Sequence, residues 1–235
     1  MPPLMERSIP ENPVKSIVKG LLRPSYRRAR KFVFERLPVL YRDGSRYDHI
    51  AAEIRRLRPG KIVEIGTCKG DNAERMLRLA LWYRQADYYG FDLFEEMGPE
   101  KFAQETAIWP APMELVESRL KGIKFRGRTP GVRLFKGDTT RTLRDAAPEI
   151  GRADLIYIDG GHSYETVRSD WENSAALCGP GTVVLIDDYP NWGVGPLVDG
   201  IDRSRWKVEI IEPGDFFHHS DPPLNCKLAR VTMAK

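Results

Sequence analysis

The chain has 235 residues, of which 41% are hydrophobic and 30% charged, and its net charge is +4. This size predicts one packed domain with extensions, or at most two small domains, and no apolar run approaches the roughly 20 residues of a membrane-spanning helix. Three widely spaced cysteines, Cys68, Cys178 and Cys226, argue against a disulfide framework or a zinc site. Because the amino terminus lacks the apolar run of a secretory signal, we expect a cytoplasmic protein.

Basic residues are concentrated at the amino terminus. Residues 1–36 hold nine Lys or Arg and three Glu, a net charge of +6, which leaves the rest of the chain at −2. We predict a basic helical extension over residues 1–45, with helices at Val14–Gly20 and Ser25–Leu37, followed by one domain over residues 46–235. The extension either packs its apolar residues on the domain, or contacts a membrane surface or an acidic partner.

Helical and strand-like segments alternate through the domain, which is typical of a parallel α/β sheet. The predicted helices are Tyr47–Leu57, Asp71–Tyr83, Thr140–Ala147 and Tyr164–Leu177. The predicted strands are Lys61–Ile65, Tyr88–Asp92, Val132–Phe135, Leu155–Ile158, Thr182–Ile186, Lys207–Ile211 and Lys227–Thr232. Residues 95–130 are longer than a plain crossover and are split by Pro110 and Pro112. Part of this segment is therefore expected to form a lid or a contact in a homo-oligomer.

Carboxylates stand at the ends of five predicted strands: Glu64, Asp92, Asp138, Asp159 and the pair Asp187–Asp188. Ligands of parallel α/β sheets bind at the carboxyl ends of the strands, so all six acidic groups are expected around one cleft. Like charges in a cleft repel one another unless cations or hydrogen-bond donors compensate them. The expected ligands are therefore rich in positive charge and hydroxyl groups.

The first strand-to-helix turn contains two glycines. Gly66 and Gly70 allow a tight turn and a close approach of the backbone to a ligand. Their GxxxG spacing differs from the GxGxxG dinucleotide fingerprint, and the acidic Glu64 and Asp71 flank the turn. Phosphate binding is disfavoured as a result, and so is a nicotinamide-dependent dehydrogenase.

Two further carboxylates each allow a functional and a structural interpretation. Asp92 can accept hydrogen bonds from vicinal ribose hydroxyls or can order its own turn. Asp138 can accept from an adenine amino group or can cap the helix that begins near Thr140.

The segments VEIGTCKGDNAERML, DLIYIDGGHSYE and VVLIDDY, with FD after the second strand and GDT after the third, resemble class I S-adenosylmethionine-dependent methyltransferases. More narrowly, they are similar to the metal-dependent group that includes macrocin O-methyltransferase and other sugar- or antibiotic-tailoring enzymes. The resemblance covers roughly Tyr47–Ile211. It implies a doubly wound, mostly parallel Rossmann-like sheet of about seven strands with an antiparallel last strand, preceded here by N-terminal helices.

The resemblance also implies a cofactor site. Glu64, Gly66 and Gly70, with Thr67 in the same turn, would line the methionine part of S-adenosylmethionine. Further cofactor contacts are expected from the ends of the next strands: Asp92 to the ribose, Asp138 and Thr139 to the adenine, and Asp159. An acidic cleft suits this cofactor, because it carries a sulfonium and an ammonium but no phosphate.

A metal site is predicted where two neighbouring strands end. Asp159, Asp187 and Asp188 would converge there, and a hard divalent cation such as Mg²⁺ prefers oxygen ligands. The resemblance implies the same three ligands. In the alternative interpretation, Asp188 caps the next turn and only Asp187 faces the cleft.

The hypothesis for the chemistry is methyl transfer to an acceptor whose two adjacent hydroxyls chelate the cation, which lowers a hydroxyl pKa and orients it. His162 is one candidate for the base, since an imidazole titrates near neutral pH, and Asp159 is the other. His162 could equally cap a helix or order the loop of Asp159. The acceptor is expected to be a small polyhydroxylated molecule, a sugar or glycosylated natural product. The candidates for its pocket are Tyr189, Trp192, His218, His219 and parts of residues 95–130.

Two other functions compete with this hypothesis. A nucleic-acid methyltransferase recruited by the basic extension would use the extension's charge for phosphate contacts, but an acidic cleft opposes nucleic acid. A non-catalytic scaffold that keeps the fold has no need to retain six clustered carboxylates. We therefore expect no nucleic-acid partner and no transmembrane segment, with peripheral membrane contact by the extension left open.

Overall fold

The computed structural model describes residues 27–42, 47–105, 108–212 and 226–234. Backbone contacts divide the chain into one unit of Met1–Tyr41 and a second of Arg42–Lys235. The predicted domain boundary at residues 45 and 46 and the predicted helix Val14–Gly20 fall outside the described residues. Within the described parts, no helix combines the length and apolar character needed to cross a bilayer.

In the first unit, helix α1 is described over residues 27–36. Its side chains contact the segment that follows: Arg30 donates a 3.0 Å hydrogen bond to the Tyr41 hydroxyl, and the rings of Phe34 and Tyr41 meet edge to face. The charge of this helix is exposed on one side, where Arg28, Lys31 and Arg36 flank Phe32. Its membrane or partner contact stays a prediction.

The second unit alternates helices and strands. Its helices are α2 Tyr47–Leu57, α3 Asp71–Tyr83, α4 Pro99–Glu105, α5 Met113–Lys121, α6 Thr139–Ile150, α7 Tyr164–Ala175 and α8 Val194–Gly200. Its strands are β1 Lys61–Ile65, β2 Asp87–Asp92, β3 Gly131–Lys136, β4 Leu155–Ile158, β5 Val183–Tyr189, β6 Trp206–Ile211 and β7 Lys227–Met233.

The seven strands form one sheet in the order β3-β2-β1-β4-β5-β7-β6. Strands β1 to β5 pair in parallel, and β7 is inserted antiparallel between β5 and β6. The predicted doubly wound sheet with an antiparallel last strand is confirmed. The strand order reverses between β1 and β4, and a crevice opens at the carboxyl ends of strands at such a reversal.

The central strands are buried on both faces, which explains their nearly continuous apolar sequences. One face carries Val63, Ile156 and Val184 and packs against α6, α7 and α8. The opposite face packs against the layer that contains α3, whose Met76 and Leu77 are buried. Burial of both faces fixes the sheet, so its carboxyl edge is a rigid platform for the site.

The structure departs from the predicted elements mainly after β4. Strand β5 continues to Tyr189, past the predicted end at Ile186, because it keeps pairing with β7 beyond a bulge between Ile186 and Tyr189. Asp187 and Asp188 therefore belong to the strand. Helix α8 was not predicted, since Gly195, Pro196 and Gly200 hide its helical pattern.

Burial of α6 against the sheet predicts a large cost for truncating its central side chain. Leu143 is fully buried, so Leu143→Ala should lower the free energy of unfolding by about 2–5 kcal/mol. Leu115→Ala in α5, where the side chain is 66% exposed, is the control and should change it by less than about 0.5 kcal/mol. Urea unfolding measures both; equal effects would contradict the described core.

Candidate active site

A cleft lies at the carboxyl ends of β1, β2 and β4 and contains about 670 Å³ of empty space, including the part open to solvent. Residues from the sheet edge and from the segment after β2 line it: Ile65, Gly66, Cys68, Phe91, Asp92, Leu93, Met97, Lys101, Ile108, Pro110, Gly137, Asp138, Thr139, Asp159, Gly160, Gly161 and Thr166. Of the predicted cofactor residues, Gly66, Asp92, Asp138, Thr139 and Asp159 meet here. Met97, Lys101, Ile108 and Pro110, from the segment after β2, supply one wall, which no motif indicated.

The glycine turn after β1 packs directly against the turn that follows β4. Gly66 has φ +90°, and a Cβ there would lie 1.9 Å from the carbonyl oxygen of Asp159. Its N–H donates to the Phe91 carbonyl oxygen at 2.9 Å. Gly70, also at positive φ, precedes α3 but does not line the cleft. Any side chain at Gly66 would therefore displace Asp159.

Asp92 orders its own turn and also faces the cleft. Its two carboxylate oxygens accept 2.7 Å hydrogen bonds from the backbone N–H groups of Cys68 and Phe94. Burial raises the pKa of Asp92, although these hydrogen bonds oppose the shift. Each oxygen has a second lone pair, so the carboxylate can still accept from a ligand hydroxyl.

Asp138 caps α6, as one of its two interpretations predicted. Its Oδ1 accepts from Thr140 N at 3.0 Å, and its Oδ2 lies 3.1 Å from Lys101 Nζ of α4. Burial alone would raise the pKa of Asp138, but hydrogen bonds from Thr140 and Lys101 outweigh it and lower the pKa. The capped carboxylate still lines the cleft, so its adenine contact stays a prediction.

Glu64 lies behind the cleft wall. It is fully buried, its Oε2 accepts from the Tyr88 hydroxyl, and that hydroxyl lies 3.1 Å from Thr67 Oγ1. Gly90 makes room for these three hydrogen-bonded side chains, because a Cβ at position 90 would lie 2.6 Å from Thr67 Oγ1. Among the described residues Glu64 Oε1 has no hydrogen-bond partner. Burial raises the Glu64 pKa to about 8, so the group is mostly protonated at neutral pH.

The candidate metal cluster joins two predicted ligands, Asp159 and Asp188, with His162, which was predicted as a base and not as a ligand. One potential ligand atom from each of Asp159, His162 and Asp188 lies within 4.8 Å of the other two. His162 Nε2 is 2.9 Å from Asp188 Oδ2. The side chain of Asp188 is 6% exposed and that of His162 24%, so solvent screens the pair only partly. Two carboxylate oxygens and one imidazole nitrogen are a donor set that suits a divalent cation.

Asp187, the third predicted ligand, lies outside that group of atoms. Its Oδ2 accepts from the Tyr157 hydroxyl at 2.5 Å, and its Oδ1 accepts from Asp188 N at 2.8 Å. The Tyr157 oxygen is also 2.9 Å from Asp159 Oδ2. Because a phenol has one proton, it can donate to only one of these two carboxylates at a time. Burial, and then the charges of Asp159 and Asp187, raise the Tyr157 pKa well above its ordinary value.

The bulge in β5 explains why the adjacent residues Asp187 and Asp188 contact different partners. Side chains alternate between faces in a regular strand, and a bulge re-aims them. The register shifts between Ile186 and Tyr189, and Asp188 has φ +63°. Asp188 can therefore reach His162 while Asp187 turns to Tyr157. Under the alternative interpretation, Asp188 caps the next turn and only Asp187 faces the cleft. In the structure Asp188 contacts His162, and neither aspartate is among the residues that line the cleft.

A sequence profile described as a methyltransferase domain matches residues 63–189, more than half of the chain. The chain belongs to this family. The match begins inside β1 and ends with β5, so it contains the glycine turn, Asp92, Asp138 and the cluster. The predicted S-adenosylmethionine-dependent methyltransferase is thereby confirmed. A search of curated proteins found no match.

Solved methyltransferase structures share the fold at low sequence identity. An O-methyltransferase from Bacillus cereus in complex with SAH is 16% identical, with a TM-score of 0.54 over 79% of this chain and 80% of that one. CalS11, a TDP-rhamnose 3′-O-methyltransferase in calicheamicin biosynthesis, is 17% identical, with a TM-score of 0.55 over 95% and 96%. SAH-bound PaMTH1 from Podospora anserina is 17% identical, with a TM-score of 0.51 over 80% and 78%.

Sequence reasoning missed several neighbours of the site. Tyr157 stands two positions before Asp159 on β4, so alternation along the strand could have placed both on one face. No sequence motif indicated Lys101, because this residue reaches Asp138 only through the path of the crossover after β2. Trp192, a predicted acceptor residue, stacks on His162. His218 and His219 lie outside the described residues.

The raised Glu64 pKa predicts a pH effect on stability. The folded protein keeps a proton on Glu64 up to about pH 8, whereas the unfolded chain releases it near the ordinary pKa of 4.5. Raising the pH between these values therefore destabilises the wild type relative to the neutral variant Glu64→Gln, by on the order of a few kcal/mol at the upper end. Thermal unfolding at pH 5 to 9 measures this. A constant Tm difference would contradict a protonated Glu64.

Proposed function

We propose that this methyltransferase transfers the methyl group of S-adenosylmethionine to a hydroxyl of a small polyhydroxylated acceptor, a sugar or glycosylated natural product, in the presence of a divalent cation. The observation that carries the proposal is the approach of Asp159, His162 and Asp188 within 4.8 Å beside the cleft. CalS11, whose name gives TDP-rhamnose as substrate, supports the choice of a sugar acceptor.

The cleft suits the cofactor in charge and shape. S-adenosylmethionine supplies a methyl group on a positively charged sulfur and carries no phosphate. Asp92 can accept from the ribose hydroxyls, and Asp138 with Thr139 borders the adenine position. Phe91 and Ile108 supply apolar surface for the flat adenine ring. Gly66 lets the backbone approach the methionine part.

The cluster suits a hard or borderline divalent cation. Asp159, Asp188 and His162 would hold it, and the Tyr157–Asp187 pair behind Asp159 would keep that carboxylate in place. Bound there, the cation would supply positive charge that offsets the clustered carboxylates and favours the ionised form of a nearby hydroxyl.

A base must accept the proton of the acceptor hydroxyl. In an arrangement without a metal, His162 is suited to this role, since an imidazole that donates from Nε2 to Asp188 leaves Nδ1 as the acceptor. An imidazole that ligates the cation as well has no nitrogen left for the proton. Asp159, which lines the cleft, is the other candidate. The His162–Asp188 distance of 2.9 Å also favours a second candidate function, an O-methyltransferase in which this pair works without a metal.

Removal of metal separates the two candidates. After treatment with EDTA, we expect methyl transfer to a panel of glycosides to fall at least about tenfold and to return with Mg²⁺. Mg²⁺ should raise the Tm of the wild type by more than about 2 °C, and Asp188→Asn should abolish this shift while SAH still binds. Asp199→Asn, an exposed carboxylate on α8, is the control. Undiminished transfer in EDTA would favour the metal-free pair.

The proposed ribose contact is tested by two aspartates of one strand. Asp92→Ala should weaken SAH binding at least about tenfold, because a charged hydrogen-bond acceptor is lost. Asp87→Ala, at the opposite end of β2, should leave the affinity unchanged. Isothermal titration calorimetry measures both. If the two variants bind SAH with equal affinity, Asp92 does not contact the cofactor.

A further inference from the structure

The turn after β5 places an indole ring against the candidate metal cluster. The rings of Trp192 and His162 stack with centroids 4.6 Å apart and planes inclined by 25°. Trp192 is nevertheless 51% exposed, so much of its surface is open to a ligand. A single exposed aromatic residue is ordinary on a protein. What distinguishes Trp192 is its position next to His162 and the way the backbone holds it there.

The turn that carries His162 and the turn that carries Trp192 are in direct backbone contact. Gly193 N donates to the His162 carbonyl oxygen at 3.0 Å, and a Cβ on Gly193 would lie 2.2 Å from Tyr164 N. The turns that carry His162 and Trp192 are therefore in backbone contact that only glycine permits. The position of Trp192 is fixed relative to the cluster before any acceptor arrives.

The backbone of this turn is also strained. Trp192 has φ +47° and Asp188 φ +63°, a region that side chains larger than glycine rarely adopt. Unfavourable conformations of this kind persist where the surrounding structure enforces them, and they concentrate at functional sites. This conformation places a large ring beside His162, and only glycine would adopt it without strain.

We propose that Trp192 selects the acceptor: its open surface stacks against a carbohydrate ring and presents one hydroxyl of that ring to His162. The inference deepens the proposed function and rests on it. The C–H groups on one face of a pyranose pack against an aromatic ring, while its hydroxyls point outward from the ring edge. A sugar lying on Trp192 therefore keeps its hydroxyls free to reach the cluster.

Two tryptophans provide a matched test. Trp192→Ala removes the stacking ring and Trp192→Phe keeps one. Trp82→Ala is the control, because Trp82 on α3 is also only partly buried, contacts another ring, that of Phe125, and does not line the cleft. The probes are methyl pyranosides with adjacent free hydroxyls, and catechol as a planar acceptor. Saturation-transfer NMR with the full chain, SAH and Mg²⁺ measures probe binding, and calorimetry measures SAH binding.

We expect pyranoside binding to weaken at least about fivefold in Trp192→Ala, the scale of one lost ring contact, and to stay within about twofold of wild type in Trp192→Phe and Trp82→Ala. SAH affinity should be unchanged in all three. Should Trp192→Ala lose SAH binding through misfolding, Trp192→Leu, a bulky side chain without a ring, replaces it.

Equal pyranoside binding by wild type and by the variant without the ring would overturn the proposal, and so would an equal loss in Trp82→Ala. Binding and methylation of catechol without binding of any pyranoside would also overturn it. Failure of the proposed function looks different: pyranosides would bind in a Trp192-dependent way, but no methyl group would be transferred to them.

Discussion

The site depends on the burial of several carboxylates at one edge of a parallel sheet. Asp187 and Asp188 are almost fully buried, and Asp159 lies within hydrogen-bond distance of the same Tyr157 hydroxyl as Asp187. Burying like charges together is unfavourable unless donors or cations compensate them. Tyr157, His162 and backbone N–H groups supply part of that compensation. The remaining negative charge favours positively charged ligands at this edge of the sheet.

The same constraint divides the carboxylates at this edge of the sheet into distinct types. Glu64 escapes the repulsion by remaining protonated, because full burial beside Tyr88 raises its pKa to about 8. Asp138 remains charged, since Lys101 and the cap of α6 stabilise the ionised form. Burial raises the pKa of Asp92, and the hydrogen bonds from Phe94 and Cys68 oppose this shift. Acidic residues that look equivalent in the sequence therefore have different partners, and the pKa values of Glu64, Asp92 and Asp138 are shifted in different directions.

Rigidity of the candidate acceptor side comes from close backbone contact. Gly66 against Asp159 and Gly193 against Tyr164 fix the turns after β1, β4 and β5 relative to one another. Groups held in place before a ligand binds cost no reorganisation when it arrives. The wall formed by Met97, Lys101, Ile108 and Pro110 is built differently, partly on the short helix α4. The proposed role of part of the segment 95–130 as a lid or oligomer contact remains a prediction.

The sequence by itself determined the sheet and the identity of the carboxylates. Strands β1 and β4 and helices α2 and α3 have the predicted limits, because their apolar periodicity and their flanking glycines and prolines are local signals. The predicted cofactor contacts and metal ligands rest on the rule that parallel strands end at one edge. That rule brings residues to the edge but does not say where each side chain points.

Only the tertiary structure decided the partners of those side chains. The bulge that pairs β5 with β7 re-aims Asp187 toward Tyr157 and Asp188 toward His162, and the bulge depends on a strand that lies about 40 residues further along the chain. The Lys101 contact with Asp138 and the stacking of Trp192 on His162 likewise join distant segments. Local sequence cannot encode them, because each arises where separate turns are packed against one another.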